Sequence, residues 1–351
     1  MSRFWCKRFG LLFGLALMVN LAVWLPSAQA AIIGTKEEIS IGRNVAEQLE
    51  KQYGLVNDPA LQERVTRIGM RIAAISDRKD LPYTFRVLNS KEVNAMACPG
   101  GFIYIFKGLV DLMPSDDELA GIIGHEVGHV VKRHTVRQIE KNLVGSILFA
   151  VLFGDRGAFI QNMALSAIMA GYSRADEQEA DAMGFIHIQR AGYNPYGLLI
   201  GMQKLSELKH DGNNWFSSHP EPEGRVATLQ GYIRNAKVHP LVAQVDKGAR
   251  ITDSGLSLPP LYATYKGAKP LYRTEFAAGE LYLLTKLPDL DGERFILDSD
   301  GTFISLYYDD RLIVVLTPQD ASSNNTSLDG LASQYVEALK SWVAAGKTAK
   351  S

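Results

Sequence analysis

The sequence predicts an α+β protein in which a mostly helical part is followed by a small antiparallel β-meander and a closing helix. Apolar residues recur at helical spacing in several stretches of the first 209 residues. From Leu261 to Thr317, β-prone runs alternate with turn signals such as Asp300-Gly301. The chain has 351 residues, 46% of them hydrophobic, which is enough for two domains with buried cores. We therefore expect a mostly helical domain with a small sheet, and a separate β-rich module after it.

The N-terminal segment has the layout of a secretory signal peptide. Positive residues at the start precede an apolar run from Leu11 to Leu25, and Ala28-Gln29-Ala30 is a small-x-small cleavage site. An uncleaved membrane anchor is the alternative, but the run is shorter than the ~20 residues of a spanning helix. We expect cleavage after Ala30 and export to a bacterial periplasm. Cys98 is then the single remaining cysteine, so no internal disulfide is expected.

Up to about Val238, the remaining chain is predicted to contain several helices and few strands. After Val238 the sequence pattern changes from helical spacing to a linker-like composition and β-prone runs. Predicted helices cover residues 35–52, 59–75, 116–138, 173–190 and 195–209, and predicted strands cover 83–88 and 102–106. Composition indicates a linker over residues 241–260. The predicted organisation is a signal peptide (1–30), a first domain (31–240), this linker, and a β-rich module (261–351) with a terminal helix from about Leu328 to Ala345. The net charge of −1 argues against a nucleic-acid partner.

The most informative motif is His125-Glu126-Val127-Gly128-His129. Residues four apart lie on one face of a helix, so His125 and His129 can offer two imidazoles to one zinc ion. Glu126 can act as general base toward a water molecule at the open coordination position. Apolar residues surround the motif, so a buried helix is expected. Two buried histidines and a buried glutamate are costly unless something satisfies them, which argues against a solvated surface helix.

A third protein ligand has to come from elsewhere in the chain. Lys132 and Thr135 occupy the positions where a metzincin would have glycine and histidine, so that class is excluded. His134 would point away from His129 on a continuous helix, so it is not expected to be a ligand. Glu177 is the better candidate, since Asp181, four residues on, can accept the outer N–H of a ligand histidine. Glu179 is the alternative ligand. For the acidic residues within 173–181 as a group, the alternative interpretation is a solvated helix face.

Four sequence blocks in this order resemble a family of zinc metallopeptidases. They cover residues 94–101, 124–129, 177–181 and 218–220. The family includes HtpX, the CAAX prenyl protease and the periplasmic β-barrel assembly-enhancing protease. The resemblance spans about residues 35–236 and implies a gluzincin domain with one Zn²⁺ held by His125, His129 and Glu177. It also implies that Glu126 is catalytic and that Asp181 supports a ligand.

The resemblance implies further roles outside these motifs. The strand 102–106 is similar to the active-site edge strand that binds a polypeptide substrate by β-addition. The loop carrying His219 resembles one that places a histidine on the zinc as a reversible fourth ligand, and Arg225 matches an arginine near the cleft. Either side chain is a candidate second donor to the oxyanion. The chain lacks the spanning helices of HtpX and the repeats of the barrel-assembly relative, so the partners of that relative are not carried over.

The resulting hypothesis is a periplasmic zinc endopeptidase that hydrolyses misfolded or misassembled envelope proteins. The alternative is a mainly latent protease that acts as a chaperone-like or partner-binding envelope protein, with His219 as a self-inhibiting latch. Two apolar stretches, 143–153 and 158–170, have three interpretations: a lid over the cleft, part of the core, or a contact with a membrane surface. A contact of the protein with a membrane surface or with outer-membrane assembly is a separate expectation.

Overall fold

A computed structural model describes residues 33–142, 156–208, 215–220 and 222–348. The predicted signal peptide and the apolar stretch 143–153 lie outside these residues. Among the helices of the described part, none is both long enough and apolar enough to cross a membrane. From Lys36 onward the chain forms one compact unit.

The first part of the chain is built mainly from helices. Their bounds are Thr35–Tyr53 (α1), Pro59–Ala73 (α2), Lys107–Leu112 (α3), Asp116–Val131 (α4), 134–142 (α5), Arg156–Met169 (α6), Arg174–Arg190 (α7), Gly197–Glu207 (α8), Trp215–Ser218 (α9) and Pro222–Asn235 (α10). Ser115 and Ser173 form capping boxes at the starts of α4 and α7, which fixes where these two helices begin.

The helix predicted over residues 116–138 is interrupted. Helix α4 ends at Val131, and Arg133 adopts a positive φ of 55° before α5 begins. A positive φ is incompatible with a continuing right-handed helix. The Arg133 Nε donates a hydrogen bond to the buried Glu38 carboxylate at 3.0 Å, which ties the turn to α1. Local apolar spacing could not reveal this long-range contact.

The first sheet has three strands: Thr84–Leu88 (β1), Ala95–Cys98 (β2) and Phe102–Phe106 (β3). Their order is β1-β3-β2, with β3 parallel to β1 and antiparallel to β2. The prediction that 102–106 is an edge strand is therefore wrong, because β3 is central and paired on both sides. Every residue of β3 is buried, as expected for a central strand covered on both faces. The edge strands of this sheet are β1 and β2.

Two further sheets form the last part of the chain. Strands Leu241–Val245 (β4), Gly248–Asp253 (β5) and Leu256–Ser257 (β6) form an antiparallel sheet within the range 241–260 that composition indicates as a linker. Tight turns at Lys247 and Gly255, both with positive φ, allow such short strands to pair. Strands Phe295–Ser299 (β7), Ile304–Tyr308 (β8) and Arg311–Leu316 (β9) form the expected meander.

Helices complete the C-terminal part. Pro270–Leu284 (α11) replaces the β-prone run predicted there, and Pro318–Ser323 (α12) precedes Leu328–Thr348 (α13), the expected closing helix. The predicted α+β class, mostly helical with a small meander, is confirmed. The division into domains stays a prediction.

Asn194 donates to Glu280 Oε1 of α11 at 2.9 Å, and Gln203 donates to Glu275 at 3.0 Å. These hydrogen bonds connect α11 to the helical part.

Helices α4 and α7 pack unusually closely, and this contact determines the position of the candidate site. A Cβ atom at Gly184 of α7 would lie 2.9 Å from the backbone nitrogen of His125. A Cβ atom at Gly128 of α4 would lie 2.8 Å from the carbonyl oxygen of Ala180. Glycine at both positions lets the backbones approach, so the side chains of the two helices meet across a short distance.

Candidate active site

Four side chains from α4, α7 and the segment after α9 converge on one point. The Nε2 atoms of His125 and His129 are 3.0 Å apart, and Glu177 Oε1 is 3.4 Å from His129 Nε2. His219 Nδ1 lies 3.0 Å from Glu177 Oε1 and 3.3 Å from His125 Nε2. All four residues are buried, and one ligand atom from each lies within 4.8 Å of the others.

This arrangement fits a metal ion. Three imidazoles and a carboxylate direct lone-pair atoms at one another in a region without solvent, which is unfavourable unless a cation lies between them. Burial lowers the pKa of His129 well below its usual range, so its imidazole is neutral, the form that binds metals. His125, His129 and Glu177 would supply two nitrogens and one oxygen, and His219 offers a third nitrogen.

Arg225 and Asp181 lie behind the cluster and orient it. Asp181 Oδ1 is 2.9 Å from His125 Nδ1, so it can accept the outer N–H of that ring, as predicted. Arg225 donates to both Asp181 oxygens at 2.7 Å and lies 2.5 Å from Glu177 Oε2. Burial alone would raise the pKa of Glu177. The charges of His219 and Arg225 outweigh burial and keep this pKa well below its usual range, so Glu177 is ionised.

Glu126 is the second buried carboxyl group at the site. Within the described residues neither of its oxygens has a hydrogen-bond partner, and the nearest histidine atom in an ion-pair contact is His219 Nε2, at 3.6 Å. Burial raises the pKa of Glu126, and the charges of His219 and His125 only partly offset this effect. A buried carboxyl group with raised proton affinity and free oxygens is suited to take up a proton.

Comparison with known sequences assigns the family. Residues 59–233 match Peptidase family M48. The chain carries a peptidase family M48 domain. The predicted membership of a metallopeptidase family is thereby confirmed, and this family together with the His/Glu cluster implies a metal. Residues 254–345, after the M48 domain, match a domain of unknown function, DUF8459.

Similar proteins support the same family. The beta-barrel assembly-enhancing protease of Escherichia coli (strain K12) is 28% identical over 224 residues, covering 59% of this chain and 46% of that protein. The mitochondrial metalloendopeptidase OMA1 of Arabidopsis thaliana is 33% identical over 181 residues, covering 51% and 37%. Metalloprotease YcaL of Escherichia coli (strain K12) is 28% identical over 228 residues, covering 62% and 84%. The chain spans about half the length of the barrel-assembly relatives.

The M48 domain contains one supporting residue that the sequence did not indicate. His134 Nδ1 lies 2.8 Å from His129 Nδ1, and its Nε2 is 3.0 Å from Glu179 Oε2. His134 lies outside the four-residue cluster, and it contacts the outer nitrogen of His129. The turn at Arg133 brings it there. Glu179 also lies outside the cluster, bonded to Arg137 at 3.0 Å, so the structure brings Glu177 and not Glu179 to the site.

Two aromatic rings of the M48 domain cover its histidines. Tyr172 stacks on His129 with ring centroids 3.8 Å apart, and Trp215 stacks on His219 at 4.2 Å. Tyr172 N also donates to Ser218 O at 3.1 Å, which connects the start of α7 to the segment that carries His219. One sequence signal for the second stack is the spacing, since Trp215 precedes His219 by four residues. Helix α6, from the second apolar stretch, contacts both β2 and α9.

Proposed function

We propose that the protein is a zinc-dependent endopeptidase of the bacterial periplasm that cleaves misfolded or misassembled envelope proteins. The observation that carries the proposal is the convergence of His125, His129 and Glu177 beside the buried Glu126. The N-terminal segment 1–30 supports export, and the names of the barrel-assembly relatives support envelope proteins as substrates.

In this proposal His125, His129 and Glu177 hold the metal, and Glu126 transfers the proton. Zinc, when bound, supplies Lewis acidity that polarises oxygen atoms of water or substrate. Glu126 accepts a proton from the attacking water as the new C–O bond forms, and donates it to the amine when the C–N bond breaks. Burial raises the pKa of Glu126, which favours its uptake of the proton. Arg225, predicted as a possible oxyanion donor, uses its donors on Asp181 and Glu177, so we assign it a positioning role.

His219 supports a self-inhibited form of this enzyme. Its Nδ1 lies 3.0 Å from Glu177 Oε1, so His219 could supply a fourth ligand to a metal held by the other three residues. A catalytic zinc site needs an open position, so a histidine that fills it keeps the enzyme latent. The same contact favours the second candidate function, a mainly latent protease that binds partners or acts as a chaperone in the envelope.

The substrate-binding strand is reassigned from 102–106 to β2, the edge strand next to α4. An extended peptide would pair with the outer backbone groups of β2, which spans Ala95–Cys98. In the structure the carbonyl of Ala97 accepts hydrogen bonds from the hydroxyls of Thr135, at 3.3 Å, and Tyr172, at 3.4 Å. A substrate would therefore have to replace these contacts. Contact with a membrane surface or with outer-membrane assembly remains part of the proposal.

The decisive experiment compares Glu126→Gln with Glu63→Gln, a matched change on the exposed side of α2. Unfolded casein is the substrate, and the bound metal is measured by elemental analysis. We expect Glu126→Gln to retain about one zinc per chain and lose nearly all cleavage, since the amide cannot accept the proton. Glu63→Gln should behave as the wild type. Cleavage by Glu126→Gln at the wild-type rate would reject the mechanism, and a metal other than zinc would reject that part of the proposal.

A further inference from the structure

A buried carboxylate near the start of α1 accepts hydrogen bonds from three distant segments of the chain. Glu38 is only 1% exposed. Its Oε1 accepts a hydrogen bond from Arg78 Nη1 at 2.7 Å and another from Gly100 N at 3.2 Å. Its Oε2 accepts one from Arg78 Nη2 at 3.0 Å and one from Arg133 Nε at 3.0 Å. Each oxygen is held by two donors, which leaves the carboxylate little freedom to move.

Arg133 needs such a partner because its backbone conformation is unfavourable. Its φ of 55° lies in the left-handed region, which residues other than glycine rarely adopt. A conformation of this kind persists where the surrounding structure holds it. The hydrogen bond from Arg133 to Glu38 is one such contact. Arg78 Nη1 also donates to the carbonyl oxygen of Val130 at 3.1 Å, in the last turn of α4. Glu38 and the two arginines thus fix the end of α4 and the turn after it.

This turn brings His134 to the outer side of a metal ligand. His134 follows Arg133 directly, and its Nδ1 lies 2.8 Å from His129 Nδ1. Its Nε2 lies 3.0 Å from Glu179 Oε2, a hydrogen-bond acceptor. A neutral ring that donates from Nε2 accepts at Nδ1, so His134 can accept the outer N–H of His129. His129 Nε2 is then left for the metal, and the contact orients the ring as outer partners of ligand histidines do.

We propose that Glu38 is a positioning residue for the metal ligand His129. It acts through the turn at Arg133 and the ring of His134, since it is not itself part of the four-residue cluster. The proposal rests on the metal site of the proposed function. Without the bond to Glu38 the turn loses its tie to α1, and His134 no longer has a fixed position beside His129. Loss of an outer partner typically weakens metal binding by about 10–100-fold, and one step further out we expect about fivefold.

A purely structural role of Glu38 is the alternative interpretation. Helix α1 packs closely on the turn between β2 and β3, where a Cβ atom at Gly42 would collide with the carbonyl oxygen of Pro99. The hydrogen bond from Gly100 N to Glu38 belongs to this contact. If Glu38 served only to fasten α1, its loss would lower the stability of the fold without a specific effect on metal affinity. The two roles therefore predict different measurements.

The first test uses Glu38→Gln, which keeps the shape of the side chain but replaces one acceptor oxygen by an N–H₂ donor. Glu37→Gln is the matched control, at the exposed neighbouring position. The affinity of each purified full-length protein for Zn²⁺ is measured by competition with a chelator, and folding by circular dichroism. We expect Glu38→Gln to stay folded and bind Zn²⁺ about fivefold more weakly, and Glu37→Gln to match the wild type. Equal affinities of the two variants would overturn the proposal.

A double-mutant cycle tests the route through Arg133. Arg133→Met removes the donor from a side chain that is 26% exposed, so this variant also serves if Glu38→Gln does not fold. Lys237→Met is its control, at an exposed residue with a similar positive φ of 51°. We expect Arg133→Met to weaken Zn²⁺ binding about fivefold, and Glu38→Gln to add little in that background, because both changes break one contact. Effects that simply add would place the role of Glu38 outside this contact and overturn the proposal.

Zn²⁺ affinity is measured without a substrate, so the role of Glu38 and the proposed function can fail separately. If the wild type binds Zn²⁺ but cleaves no casein, the endopeptidase is rejected, while weaker binding by Glu38→Gln still supports the positioning role. If casein is cleaved and Glu38→Gln binds Zn²⁺ as tightly as Glu37→Gln, the function stands and the positioning role is rejected. A wild type without measurable affinity for Zn²⁺ would reject both.

Discussion

The indole of Trp215 stacks on the imidazole of His219, with ring centroids 4.2 Å apart and ring planes 19° apart. Both residues are buried, and the stack fixes the ring whose Nδ1 lies 3.0 Å from Glu177 Oε1. The position of His219 is thus determined by packing within the M48 domain as well as by any metal. A preformed contact of this kind is consistent with a latch that must be displaced before a substrate can bind.

His219→Ala should increase the cleavage of unfolded casein by roughly tenfold, corresponding to ~1.4 kcal/mol, because the fourth ligand position becomes open. The measurement is initial rate at saturating zinc. His239→Ala is the control, since His239 is half-exposed and pairs with Asp253. A loss of activity in His219→Ala would instead assign His219 to stabilisation of the transition state and remove the latch from the proposal.

Asp181→Asn should weaken metal binding by about 10–100-fold while the fold is kept. The change removes the carboxylate that faces His125 Nδ1 at 2.9 Å and the charge that pairs with Arg225. Metal affinity is measured by competition with a chelator, and folding by circular dichroism. Asp111→Asn, at an exposed ion pair with Lys107, is the matched control. Equal affinities of the two variants would contradict the supporting role of Asp181.

Tyr172→Phe should lower KM for peptide substrates by roughly fivefold with little change in kcat. The phenyl ring keeps the stack on His129, but the hydroxyl that competes for the Ala97 carbonyl is lost. A net hydrogen bond is worth about 1 kcal/mol, which gives this factor. Steady-state kinetics separates the two constants. An unchanged KM would indicate that substrates do not bind along β2.

Glu275→Gln should reduce the loss of stability that accompanies a rise in pH from about 4.5 to 8. Burial raises the pKa of Glu275 to about 8, and the hydrogen bond from Gln203 offsets this only in part. The native state therefore binds more protons than the unfolded state between about pH 4.5 and 8. Stability is highest below this window and falls as pH rises through it, by up to ~1.4 kcal/mol per pH unit.

Thermal unfolding between pH 6 and 8.5 measures this effect. The wild-type Tm should fall more steeply than that of Glu275→Gln, while Glu293→Gln, at a 77% exposed side chain, should follow the wild type. Burial also raises the pKa of Glu280, to about 7, so Glu280 changes stability with pH in the same direction. Part of the fall of Tm with pH should therefore remain in Glu275→Gln. Parallel curves for wild type and Glu275→Gln would show that Glu275 is not responsible.

The site was more predictable than the strands around it. The spacing of His125 and His129 places them on one face whenever the segment is helical, so five consecutive positions were sufficient. Pairing of strands depends on residues far apart in sequence. The β-prone run 102–106 was recognised, but its central position follows from a parallel partner that local pattern does not specify. The small residues of β2 carry no strand signal, so this edge strand was missed, whereas the other edge strand, β1, was predicted.

The sequence by itself determined the helical motif that carries His125, Glu126 and His129, the α+β class, and the family resemblance, because these depend on local spacing. Only the tertiary structure decided that Glu177 rather than Glu179 joins the histidines, that His134 turns back to His129 after Arg133, and that β2 rather than β3 lies at an edge of the sheet. These outcomes depend on the close approach of α4 and α7 and on contacts such as Arg133 with Glu38. Such contacts join residues that are distant in the chain, and no local pattern records which of them form.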